Sequence, residues 1–162
     1  MKKEKTKEKT NVMRLLEQKK IPYRSWSYAD TDAVSGTDVA KVMGQDPDRV
    51  FKTLVTVGGR SKDNFVFVVP VSRELDLKKA AAAVNEKSIR MIKSKELLSL
   101  TGYIHGGCSP IGMKKTFVTV LDSSAEKYET IIFSAGKIGY QAEVRPEELK
   151  KIIRFSFADI VE

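Results

Sequence analysis

At 162 residues with 41% hydrophobic content, the chain can bury one full core and has the composition of a single globular domain. No apolar run approaches the ~20 residues of a membrane span, no signal-peptide core is present, and one cysteine excludes an internal disulfide or a thiolate metal cluster. A net charge of +8 favours a polyanionic partner, nucleic acid being the usual one, although lysine used only for solubility gives the same composition.

Part of that charge is local, because residues 2–9 hold five lysines against two glutamates. Residues 1–10 are therefore expected to be a disordered basic tail, and 11–162 one folded domain. Val12, Met13, Leu15 and Leu16 recur at helical spacing up to Ile21-Pro22, predicting a first amphipathic helix. Residues 23–28 read as a strand. Val39, Ala40, Val42 and Met43 form a short helix stopped by Gly44, and Asp46-Pro47 opens one more turn.

Alternation predicts strands at 51–57 and 65–71, joined as a hairpin through Gly58-Gly59. Asp76 is placed to cap a helix over 77–84. A short strand is expected at 88–92 and a short helix at 94–100. Further strands are expected at 117–121, 130–134 and 140–144, the last two joined by a turn at Gly136-Lys137-Ile138-Gly139. Ser123 and Glu126 have capping-box spacing for a brief helix. Arg145-Pro146 opens a final helix over 147–153, and an apolar stretch around Phe155 and Phe157 closes the chain. Short helices among many strands, without strict β-α alternation, imply α+β with a mixed, curled sheet.

Three places could carry chemistry. Gly106-Gly107-Cys108-Ser109-Pro110-Ile111-Gly112 cannot continue a helix or a central strand. Such a loop can offer bare N–H groups, and the Ser109 hydroxyl, to a carbonyl or a phosphate, though a structural turn uses the same residues. Alternation puts Lys52 on one strand face with Leu54 and Thr56, so its ammonium either enters a pocket mouth or snorkels from a sheet edge. Ser134 and Gly136 end a strand, where they offer polar groups to the same pocket or simply turn the chain. Trp26 and Tyr28 share a strand face and could stack on a base, with core packing the alternative for Trp26. His105 and Cys108 lie three apart, but a free cysteine behaves more often as a small apolar core residue than as a nucleophile.

Several stretches together carry a resemblance. They are Val50-Phe51-Lys52-Thr53-Leu54, Pro70-Val71, Leu75 to Lys79, Thr101-Gly102-Tyr103, Gly106 to Lys115, Ser134 to Lys137 and Phe157-Ala158-Asp159. With them the chain resembles the YbaK/EbsC group of trans-acting editing proteins, the Cys-tRNA(Pro)/Cys-tRNA(Cys) deacylases, related to the editing insertion of prolyl-tRNA synthetase. The resemblance implies a single α+β domain with a mixed β-barrel-like sheet flanked by short helices. It implies removal of cysteine mischarged onto proline tRNA, by attack of the substrate's own thiol on its ester. The 3′ CCA end of aminoacylated tRNA is the expected partner, with prolyl-tRNA synthetase a second, and no cofactor or metal is expected. Lys52 falls on the family's key active-site lysine. The expected substrate-binding positions are Tyr28, Gly106, Gly107, Ser109, Pro110, Gly112, Ser134 and Gly136. Gln141 stands where some members carry aspartate, and Ser35 near a phenylalanine of others, so fine specificity is left open. Deacylation of alanyl or seryl tRNA, or a non-catalytic tRNA-binding accessory, are the competing readings. A cytoplasmic location is expected.

Overall fold

The computed structural model describes residues 8–162, so most of the expected tail lies outside the described residues. Thr10 opens the first helix, α1 (Asn11–Gln18), by accepting the Met13 N–H at 3.2 Å, which buries Val12, Met13 and Leu16 on one side. Just ahead of it, Glu8 takes the Lys137 ammonium and the Tyr140 hydroxyl. The chain then runs β1 (Arg24–Ser27), α2 (Gly36–Val42), β2 (Phe51–Gly58), β3 (Asn64–Pro70), α3 (Leu77–Ala83), β4 (Ile89–Met91) and α4 (Ser94–Thr101). It finishes with β5 (Val118–Asp122), β6 (Ile131–Ser134), β7 (Tyr140–Val144) and β8 (Ser156–Ala158).

The predicted hairpin forms, with β2 and β3 antiparallel from Phe51↔Pro70 to Val57↔Asn64. Asp76 caps α3 as its position requires, accepting the N–H groups of Lys78 and Lys79 at 3.0 Å. α2 begins earlier than the apolar spacing indicates, because the Ser35 hydroxyl accepts the Asp38 N–H at 3.1 Å and starts the helix at Gly36.

The α+β class holds, but the sheet is not a closed barrel. The strands form two sheets, β1-β7-β6 and β4-β2-β3-β5-β8. Among the described residues an isolated bridge, Val50↔Ile132, is the strand pairing between them. Beyond that bridge β2 leaves the smaller sheet, and a cavity opens along its edge. The larger sheet is buried on both faces: Val66 and Val68 pack with α1, Ile131 and Phe133, whereas Phe65, Phe67 and Val69 pack with Ala80, Val120 and Ile160.

Two terminal elements differ from expectation. Residues Ser123–Lys127 form a 3-10 helix, capped by Asp122 rather than Ser123. Residues Pro146–Lys151 are also 3-10 rather than α-helical, and the closing apolar stretch adds β8 in parallel to β5. Asp122 explains both the cap and the added strand. It is 2% exposed, with one carboxylate oxygen accepting the Ser124 N–H at 3.1 Å and the other the buried Ile160 N–H at 3.0 Å. Asp122→Ala strands two donors, and the expected cost is about 2 kcal/mol. Urea unfolding measures it as a lower midpoint with an unchanged slope. Among the described residues no helix is long and apolar enough to cross a membrane.

Candidate functional site

A cavity of about 440 Å³ lies where β2 leaves the smaller sheet. Its floor is residues 50–55. One wall is Tyr28 with the loop into α2, and another is Met91, Ile92, Ser94 and Leu97 around the β4–α4 junction. His105, Gly106 and Cys108 close it on the loop side, with Ser134 and Gln141 from the smaller sheet.

The floor is an open strand edge. β4 pairs with β2 only at residues 56–58, so between the Val50–Ile132 bridge and Thr56 β2 has no strand partner on that side. Val71 donates to the Val50 carbonyl at 2.7 Å, so the backbone groups of even-numbered residues turn toward β3 and those of odd-numbered residues turn outward. Ile92 donates to the outward Val55 carbonyl at 3.3 Å. Thr53 is therefore left with its N–H and C=O directed at the open edge, and its buried hydroxyl has no partner among the described residues. Sequence reasoning read Thr53 only as a member of a motif. Its odd-numbered place on β2 puts its backbone groups on the stretch that β4 does not reach.

Lys52 lies opposite Val69, lines the cavity and is half-buried. Its ammonium stands 3.8 Å from the Glu74 carboxylate, which is 76% exposed. A pair that long and wet contributes little to stability. The lysine is thus at the rim of the pocket with its charge available, between the two sequence alternatives.

The Gly-rich loop divides into lining and support. Gly106 (φ +90°) and Cys108 line the cavity. Gly107, Ser109, Pro110 and Gly112 are not among the residues that line this cavity. Gly107 donates to the Ile104 carbonyl at 3.0 Å, and a Cβ there would meet the Ile138 nitrogen at 3.1 Å. The fully buried Ser109 hydroxyl accepts the Ile111 N–H at 3.3 Å. Pro110 packs into a small apolar hollow with Val68 and Phe133. Gly112 (φ +77°) sits against the Tyr103 hydroxyl and Leu15.

Tyr103 organises this region, and nothing in the sequence reading gave it that role. Its hydroxyl donates to the Ile111 carbonyl at 2.5 Å, pinning the loop. Its ring covers Gly136, which is likewise not a lining residue. Ser134 does line the cavity, while its hydroxyl accepts the Gly136 N–H at 3.1 Å, so it also turns the chain. Tyr28 is buried and lines the cavity, anchored by its N–H on the Gly139 carbonyl at 2.8 Å. Trp26 is outside the lining. Its indole N–H donates to Glu143 at 2.9 Å, and the Arg24 guanidinium lies 4.3 Å above its ring.

Electrostatically the wall is quiet. Burial pushes the Cys108 thiol up to about 12, against a smaller opposing hydrogen bond with Thr101, so the sulfur stays protonated and is a poor nucleophile at neutral pH. Gln141 is buried and its oxygen accepts from the Gln45 amide at 2.9 Å, so no charge stands there. Among the described residues no three His, Cys, Asp or Glu side chains are grouped to hold a metal ion. The arrangement offers one cation, bare backbone donors and an unpaired hydroxyl around an apolar hollow. Those are groups that bind and orient an ester rather than attack it.

Known proteins share this arrangement of elements and motifs. The chain is 48% identical over 161 residues to "Putative Cys-tRNA(Pro)/Cys-tRNA(Cys) deacylase EbsC" of Enterococcus faecalis, covering 99% of this chain and 98% of that protein. It is 28% identical to the proline–tRNA ligase of Shouchella clausii over 69% of this chain but only 19% of the ligase. Among solved structures, the "Crystal structure of a putative trans-editing enzyme for prolyl tRNA synthetase" superposes with a TM-score of 0.79 at 25% identity, over 93% of this chain and 94% of that one. The aminoacyl-tRNA editing domain matches residues 31–152, a span holding the floor of the cavity and most of its walls, and the chain belongs to that family.

Proposed function

We propose that this protein is a trans-acting deacylase that removes cysteine mischarged onto proline tRNA. The observation that carries the reading is the pocket itself: Lys52 on one side, Gly106 and Cys108 on the other, and no nucleophile activated between them. The 48% identity to the Enterococcus protein, over nearly the whole of both chains, supports the reading.

A synthetase pocket separates side chains of similar size by factors of only about 10 to 200, so a second site must destroy the errors. In the proposed step the substrate cysteine sulfur attacks its own ester carbonyl. A C–S bond forms, the C–O bond to the terminal ribose breaks, and the ribose oxygen leaves as a hydroxyl carrying the proton. Water then opens the thiolactone to free cysteine. This chain's residues hold the ester in the attacking geometry and meet the charge that develops on its carbonyl oxygen. Among the described residues the N–H groups of Gly106 and Cys108 donate to nothing, which leaves them free for that oxygen. Lys52 supplies the positive charge, to the ester or to the adjoining terminal nucleotide.

Incubation with a panel of mischarged tRNAs tests the reading, with and without prolyl-tRNA synthetase. Cys-tRNA(Pro) should lose its amino acid rapidly, and Ala-tRNA(Pro), which has no thiol, should survive. Rapid loss of alanine or serine instead assigns a different small substrate. Equal, protein-independent decay of every ester leaves only a non-catalytic tRNA-binding role. Within the same assay, Cys108→Ala should keep at least half of the wild-type rate. An inactive Cys108→Ala protein of normal stability would restore the enzyme thiol as nucleophile.

A further inference from the structure

The mouth of the cavity is electrically lopsided. The open edge of β2 from Phe51 to Val55 is roughly 14 Å long at ~3.4 Å per residue. At its first end, Gly36 packs against the Val71 side chain, and Val71 in turn donates to Val50. That end belongs to the β1–α2 connection, where residues 30–38 hold Asp30, Asp32 and Asp38 and no cation. At the other end, Ile92 donates to Val55 and Met91 pairs with Thr56. That end belongs to the β4–α4 junction, where Lys87, Arg90, Lys93 and Lys95 outnumber the flanking Glu86 and Glu96.

The three aspartates and the four cations are exposed. Among the described residues none of the four cations pairs with a carboxylate. The two ends are farther apart than the ~8–10 Å over which salt screens exposed charges, so each keeps its own sign at physiological ionic strength. Lys93 and Lys95 are the chain neighbours of Ser94, which lines the cavity, and both are exposed. Strand alternation turns Arg90 away from the side of Met91, and it adds to the field rather than to contacts.

We infer that the β4–α4 lip is the RNA-docking surface: the phosphodiester backbone of the acceptor strand crosses it, held by Lys93 and Lys95. The terminal ester then drops over Met91 into the cavity, and the acidic lip repels any approach from the opposite end. The choice of tRNA as occupant rests on the deacylase reading, and binding and turnover are measured separately so that either can fail alone.

Fluorescence anisotropy with uncharged tRNA(Pro), titrated at several salt concentrations, tests it. The double variant Lys93→Glu/Lys95→Glu should bind about tenfold or more weakly, and its log–log salt slope should flatten by about 1.4–1.8, the loss of two phosphate contacts. Lys150→Glu/Lys151→Glu, the same charge change on the helix Pro146–Lys151, should bind like wild type. Turnover of a cysteinyl ester of adenosine, too short to reach the lip, should be the same in both variants and in wild type. Unchanged affinity and slope in the Lys93/Lys95 variant would overturn the assignment, as would an equal loss in the Lys150/Lys151 variant. A wild-type protein that binds tRNA through this lip yet cleaves no ester would sustain the docking surface and sink the deacylase instead.

Discussion

Lys52→Ala should lower kcat/KM for Cys-tRNA(Pro) by about 10²–10³ while the protein unfolds at nearly its original temperature. The size follows from what one positioned donor contributes to a developing oxyanion. The lack of a stability effect follows from its surroundings. Lys52 is half-buried, and its one ionic partner, Glu74, is 3.8 Å away and largely solvated. The split between kcat and KM then assigns the role. A fall in kcat at constant KM places the ammonium on the ester oxygen in the transition state, and a rise in KM at constant kcat places it on the terminal nucleotide. Lys52→Arg keeps the charge but spreads it over a wider planar head, so partial rescue is expected in the second case and little in the first. A variant with wild-type kcat/KM would remove Lys52 from the site.

That prediction was within reach of the sequence because Lys52 sits in a segment whose structure is local. The alternation of residues 51–57, the Gly58-Gly59 turn and the second apolar run fix the hairpin without help from the rest of the chain. Asp76 likewise announces α3 from a few neighbouring residues. Other features depend on contacts between distant segments. β8 is three residues long and is a strand only because Leu121 pairs with Phe157, and Asp122 holds the Ile160 amide beside it. That the strands form two sheets and not a barrel is decided at Val50 and Ile132, which are far apart in the chain. The loop shows the same limit within seven residues. Three glycines, a serine and a proline gave a turn with ligand-binding capacity, but which of them face the cavity is set by Tyr103 and Ile138, whose placement no local pattern records. Composition likewise showed a basic surface, whereas its concentration at one end of the cavity needed the path of β4 and α4.

Gly136, expected as a substrate-binding position, is also tightly packed, and it should be among the most costly single methyl groups to add to this protein. Its φ of +91° is one that side chains other than glycine's rarely adopt. A Cβ there would stand 3.0 Å from both Tyr103 Cε1 and Val12 Cγ2. Neither neighbour is free to retreat: Val12 is fully buried in α1, and the Tyr103 ring is fixed by its hydroxyl on the Ile111 carbonyl. Left-handed backbone strain of about 1–2 kcal/mol adds to overpacking of about 1–3 kcal/mol, so Gly136→Ala should destabilise by about 3 kcal/mol. For a chain of this length that lowers the melting temperature by roughly 6–12 °C. Below its melting transition the variant should still bind uncharged tRNA with wild-type affinity, since Gly136 is not among the cavity-lining residues. Relief through Tyr103 is the internal check. In Gly136→Ala/Tyr103→Leu the flexible leucine gives way to the new methyl, so the added loss from the alanine should be smaller than in the wild-type background. A Gly136→Ala protein with unaltered stability but a failed deacylation assay would return this glycine to the substrate and take the packing role from it.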